Sequence, residues 1–173
     1  MGNQQNGPDR LSARTKWRMR AVEILYEAES RDTEPSKVLA ERASRAFADP
    51  EAPRLPAYAE ELVRGVAQHL GELDAIIGAS AKGWAVERIA AVDRNVMRVA
   101  LYEIRHVPDV DTPVAIKEAM RVALQIGSSD DTSFVNAVLD KAARADKPQE
   151  RAEDKPRESI EDKPREEADD TAE

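Results

Sequence analysis

Apolar positions along this chain recur at intervals of three and four, the spacing that gathers them on one face of an α-helix. Trp17, Ala21, Ile24, Leu25 and Ala28 predict a first helix over 13–30. It ends in "SRDTEP", where Pro35 disfavours helical geometry at Glu34 and suits the first turn of a second helix over 35–47. The three prolines of "ADPEAPRLP" then force a loop. From 57 to 81, Leu62, Val63, Val66, Leu70, Leu73, Ile76 and Ile77 keep the helical period, with a break expected near Gly71, so two helices are read there. A short turn around "AKGWAVERIA" leads into "AVDRNVMRVALYEIRHV", whose Val92, Val96, Met97, Val99, Ala100, Leu101 and Ile104 spread round most of the circumference. A helix apolar on most sides is a central one. In "DTPVAIKEAMRVALQIGSS", Thr112 is expected as N-cap, Pro113 at the first helical position and Gly127 just past the end. The last helix is "SFVNAVLDKAARA", with Phe134, Val138 and Leu139 facing inward.

Composition agrees with an all-α fold. Aromatic residues make up 4% of the chain and glycines number only 7, so good helix formers dominate any propensity sum. A chain of 173 residues is long enough for one domain with a real core and too short for two large ones. The expected organisation is a disordered segment over 1–11, a helical domain over 12–146 and a disordered charged tail over 147–173. In that tail "EDKPRES" is nearly repeated by "EDKPREE", and such a segment buries too little apolar surface to offset its ordering entropy. The tail also explains the acidic balance. Its six cations against eleven acids hold five of the eight net negative charges.

Most chemistry lacks its minimum parts. The absence of cysteine excludes disulfides, thiol nucleophiles and the usual structural zinc sites. No phosphate-loop, dinucleotide-binding or serine-hydrolase motif occurs. His69 and His106 are the only histidines, each without a partner at metal-ligand spacing, and they read as structural or surface residues, so no metal or cofactor is expected. A polar N-terminus and the lack of any run of eighteen apolar residues predict a soluble, cytoplasmic protein with no membrane partner. An enzyme is not expected.

One charge pattern stands out. Arg14, Lys16, Arg18 and Arg20 alternate along the start of the first helix. Cations there oppose the helix dipole unless an anion is bound, and nucleic acid competes evenly with a solvated helix start as the explanation. Tyr26, further along the helix, suits either stacking on an unpaired base or the edge of the core.

These residues carry a family resemblance. "ARTKWRMRAVEILYEAE" resembles the N-terminal arginine-rich helix of the NusB family of bacterial transcription antitermination factors, and "VDRNVMRVALYEI", "TPVAIKEAMRVA" and "SFVNAVLDKAA" resemble its later motifs in the same order. The resemblance covers about 13–144. It implies an all-helical bundle of two three-helix subdomains with a short extra helix, about seven helices in all. It further implies binding of single-stranded boxA RNA together with ribosomal protein NusE, within an RNA polymerase complex that suppresses termination on ribosomal RNA operons, without catalysis.

By position the resemblance assigns Arg14, Lys16, Arg18 and Arg20 to the RNA-facing basic run, with Tyr26 as its tyrosine. Asp130, Phe134 and Asn136 match a second patch near the RNA, and Asp93 matches the acidic position presented to NusE. Competing readings stand beside these: Phe134 has core spacing to Val138, Asp93 complements its helix N-terminus, and Asn136 suits a buried backbone group. The chain departs from the family pattern at Thr15, at Lys117 in place of Asn, at Ala137 in place of Gly, and at Trp17. Trp17 either packs within the chain, stacks on a base or joins a second subunit, which makes a homodimer one expectation. The alternative function is a helical protein-interaction module that binds a ribosomal protein with incidental RNA affinity. Family domains also occur fused to RNA methyltransferases, but no room for such a catalytic domain is seen here.

Overall fold

The computed structural model of the protein describes residues 11–128 and 132–145, which leaves the expectations for residues 1–10, Asp130 and 147–173 outside the described residues. Among the described residues seven α-helices occur: α1 (Ala13–Ser30), α2 (Pro35–Ala48), α3 (Ala57–Gln68), α4 (Leu70–Ser80), α5 (Ala91–His106), α6 (Thr112–Ile126) and α7 (Ser133–Ala145), with one 3-10 turn over Val86–Arg88 before α5. There are no strands among them. The helices α1, α2 and α3 pack on one another, and α4 to α7 form a second set. As its pattern predicts, α5 is central, packing against α1, α3, α4, α6 and α7. Its Met97 and Leu101 are fully buried beside Ile24, Leu62, Leu73, Ile77 and Leu139 from four other helices.

The helix ends follow local chemistry. Ser12 caps α1, its Oγ accepting from the Thr15 backbone N–H at 3.0 Å. At the other end Asp32 adopts a left-handed φ of 47°, Asp32 N–H donates to Glu29 C=O and Thr33 N–H to Ala28 C=O, a Schellman closure that satisfies two orphan carbonyls. Pro35 opens α2 as the sequence predicts. Three boundaries differ from expectation. The break between α3 and α4 falls at His69, not Gly71; His69 has φ −110° and ψ 14°, and Gly71 sits inside the first turn of α4. The N-cap of α6 is Asp111, with Thr112 already helical. Gly127 ends α6 in an extended conformation, φ −68°, so its role is space and not a left-handed turn. A Cβ there would lie 2.3 Å from the Ala123 carbonyl oxygen and 2.9 Å from Asp93 Oδ1.

Two polar networks, one buried and one partly exposed at its carboxylates, set how the helix sets meet. In the first, Arg18 of α1 donates through Nε to both carboxylate oxygens of Glu103 on α5, at 2.9 and 3.0 Å, and through Nη1 to Glu118 on α6 at 3.2 Å. Thr15 Oγ1 donates to Glu118 at 2.5 Å and the Tyr58 hydroxyl donates to Glu103. In the second, Glu29 at the end of α1 accepts from Arg94, Asn95 and Arg98 at the start of α5, and Arg98 reaches on to Asp74 of α4 at 2.7 Å. The pairs Arg18–Glu103 and Glu29–Arg94 therefore lock α1 and α5 antiparallel.

Candidate nucleic-acid interface

The alternating cations at the start of α1 divide by helix geometry. Residues 15, 18, 22 and 25 share the face that packs inward, and Thr15, Arg18, Val22 and Leu25 are all buried. Arg18, expected as an RNA contact, is 3% exposed with its guanidinium committed to Glu103 and Glu118. It holds the bundle together and presents no charge to a phosphate. Burial disfavours its charge, but the hydrogen bond and field of Glu103 prevail and raise its pKa above the ordinary value.

Arg14 and Lys16 are exposed. The Arg14 guanidinium lies 5.1 Å from the Tyr58 ring centroid, a cation–π contact, and Trp17 packs against the same ring with centroids 6.3 Å apart. Trp17 is thus half-buried within its own chain. The phenol of Tyr58, desolvated and donating to Glu103, is pushed above its usual range and stays protonated.

Lys16 and Arg20 lie four apart, hence on one face of α1. Arg20 pairs with Glu23 at 2.7 Å and lines a small recess together with Arg42 and Arg45 of α2 and Arg54 of the following loop. Arg42 ties its terminal nitrogen to Glu27 at 2.6 Å, while its Nε is buried without a hydrogen-bond partner. Sequence reading missed Arg42, Arg45 and Arg54. The signal was present in "ERASRAFA", where Arg42 and Arg45 stand three apart on one helical face, but only folding brings Arg54 beside them.

A second surface lies at the opposite end of the bundle. Phe134 packs on the core, as its spacing to Val138 predicts, and meets Trp84 edge-on, with ring centroids 6.0 Å apart. These rings line a groove of about 590 Å³ with Lys82, Asn136, Lys141 and Arg144 among its walls. Trp84 is half exposed and Arg88 sits 6.0 Å above its ring. Asn136 donates its side-chain amide to Asp140 at 3.3 Å, not to a buried backbone group. The segment before α5 is held by Arg94, which donates to the carbonyls of Val86 and Ile89 at 2.8 and 2.7 Å, so this groove sits beside the start of α5 and the end of α1. At 1.5 Å per residue, that is roughly 20 Å along α1 from Arg14. Tyr26 is 44% exposed, toward the groove end of α1. Asp93 accepts from the Ser128 backbone N–H at 3.4 Å and from its hydroxyl, tying the first turn of α5 to the end of α6.

The model of the NusB family matches residues 15–144. The chain belongs to the NusB family. A curated NusB relative from Salinispora arenicola (strain CNS-205), named a transcription antitermination protein, is 41% identical over 133 residues, covering 77% of this chain and 96% of the relative. Another of that name, from Acidothermus cellulolyticus (strain ATCC 43068 / DSM 8971 / 11B), is 40% identical over 137 residues, covering 79% and 90%. Among solved structures, NusB of T. maritima matches with a TM-score of 0.66 at 29% identity, over 80% of this chain and 96% of that one. A complex of the antitermination factors NusB and NusE with dsRNA shares the fold, with a TM-score of 0.62 at 22% identity over 76% of this chain and 96% of that one. The NusB family is one of transcription antitermination factors, not of enzymes.

Proposed function

We propose that this protein is a transcription antitermination factor that binds boxA-type single-stranded RNA of ribosomal RNA operons together with ribosomal protein NusE, in the cytoplasm, as part of an RNA polymerase complex that resists termination. The observation that carries the RNA reading is the basic face of α1 formed by Lys16 and Arg20, continued by Arg42, Arg45 and Arg54 across α2 and the following loop, with Arg14 exposed on another side of the helix start. Four guanidinium-bearing side chains around one recess suit a phosphate chain, because guanidinium forks match phosphate geometry. The chain is acidic overall, so a phosphate chain is drawn to such local basic surfaces and not to the molecule at large. Membership of the NusB family supports the assignment, as does the shared fold of the solved NusB–NusE–RNA complex.

Within this reading the groove at Trp84 and Phe134, with Asn136 nearby, is the aromatic surface for an unstacked base, and Tyr26 supplies another face along α1. Asp130 belongs to the same expected patch but lies outside the described residues. Asp93 is the acid offered to NusE; it must exchange its Ser128 partner to make that contact. Among the described residues no helix is long and apolar enough to cross a membrane.

The test is binding of boxA-type and scrambled RNA, with and without NusE, with oligomeric state followed in parallel. Selective binding strengthened by NusE supports the proposal. A stable complex with NusE but no RNA selectivity in any assembly would instead establish a protein-interaction module.

A further inference from the structure

Away from the basic face, two residues that the sequence leaves unconnected come together. His69, at the break between α3 and α4, and His106, the last residue of α5, stack with ring centroids 3.9 Å apart and planes inclined by 26°. Glu72, in the first turn of α4, faces both. Its Oε2 lies 3.2 Å from His69 Nδ1 and 3.8 Å from His106 Nε2, and donor atoms of the three residues all fall within 4.8 Å of one another.

We propose that His69, Glu72 and His106 form a binding site for a divalent transition-metal ion of the zinc class. Donors about 2.0–2.1 Å from a tetrahedral zinc ion lie roughly 3.4 Å apart, and the separations of 3.2 and 3.8 Å from Glu72 Oε2 to the two ring nitrogens bracket that figure. Because the ion lies in the plane of each imidazole, the two rings turn out of their stack as it binds. Two imidazoles and one carboxylate are a donor set that zinc takes with a fourth position left for water. His106 Nε2 is buried yet makes no hydrogen bond, so the cluster contains a nitrogen lone pair or N–H that nothing else among the described residues satisfies. The surroundings orient the donors. Arg105 Nε donates to Glu72 Oε1 at 2.9 Å, which turns the other carboxylate oxygen toward the histidines, and Tyr102 stacks on His106 with centroids 5.3 Å apart. The rings are only partly exposed and the carboxylate more so, which leaves a path for an ion. Bound there, the ion ties the α3–α4 junction to the C-terminal end of α5.

Full-length protein freed of metal by chelation and titrated calorimetrically with zinc chloride tests the site. The expected result is one zinc ion per chain, a melting temperature that climbs with zinc concentration, and visible absorption typical of low-coordinate cobalt when Co²⁺ replaces zinc. His106→Phe keeps a ring against Tyr102 but removes the donor and abolishes binding; Glu72→Gln, at an exposed position, does the same and carries the test if His106→Phe fails to fold. Arg105→Gln weakens binding about tenfold through loss of carboxylate orientation. Absence of stoichiometric binding, or binding retained in His106→Phe and Glu72→Gln alike, overturns the proposal.

Discussion

Arg18 shows how one position in a charged run serves a different end from its neighbours. Its guanidinium is almost fully buried between Glu103 and Glu118, and removing one partner of such a cluster strands the others in a low-dielectric interior. Arg18→Ala is expected to lower unfolding free energy by about 3–5 kcal/mol in urea denaturation. Lys16→Ala, at an exposed position, is expected to leave stability within about 0.5 kcal/mol while weakening RNA binding. The acids of these networks give a pH signature. Burial opposes the charge of Glu118, but Thr15, Arg121 and Arg18 hold its pKa below the ordinary 4.5, and Arg94, Asn95 and Arg98 do the same for the partly exposed Glu29. A carboxylate depressed in the folded state stabilises fully above its unfolded pKa and loses that contribution as pH falls through the folded value. Urea midpoints are therefore expected to decline below pH 4.5, with a shallower decline in Glu118→Gln. The spacing of Arg18 to Val22 and Leu25 carried a signal for its inward place, yet the sequence reading set it on the RNA-facing run. Its partners were not, because Glu103 and Glu118 lie 85 and 100 residues away.

At the scale of elements, periodicity located every helix seen here, since a face of Leu, Val and Ala at intervals of three and four has few other ways to be buried. The ends were harder, because a boundary rests on one or two side chains. Thr112 and Asp111 are both residue types that suit an N-cap; the helix already includes Thr112, and Asp111 takes the N-cap position without a side-chain hydrogen bond. Gly71 looked like the break between α3 and α4, yet the backbone turns at His69, whose ring stacks on His106. The α1 cap is a clean test: Ser12→Ala is expected to cost about 1 kcal/mol in chemical denaturation, through loss of the bond to the Thr15 N–H. Gly65 of α3 lies directly against Tyr102 of α5, and a Cβ there would lie 2.0 Å from the ring. Gly65→Ala is expected to destabilise by about 1–3 kcal/mol, because Tyr102 must shift out of its stack with His106.

The whole molecule is an acidic chain whose exposed cations include one cluster built by α1, α2 and the loop after α2. Five of its eight net negative charges belong to residues 147–173, so the sequence already showed the rest of the chain to be less acidic than the total suggests. What it did not show is how the basic face is built. One of the four alternating cations turns inward, and three arginines from α2 and its loop extend the face, joined to Arg20 only by the packing of α2 on α1. The measurement that bears most directly on this is the salt dependence of RNA affinity for the native chain and for a Lys16→Ala/Arg20→Ala/Arg54→Ala variant. For a single strand the log–log slope is about −0.7 per phosphate neutralised, so losing three contacts is expected to flatten it by roughly 2 while the urea midpoint stays near native. An unchanged slope in a folded variant would contradict the assignment of RNA to this face.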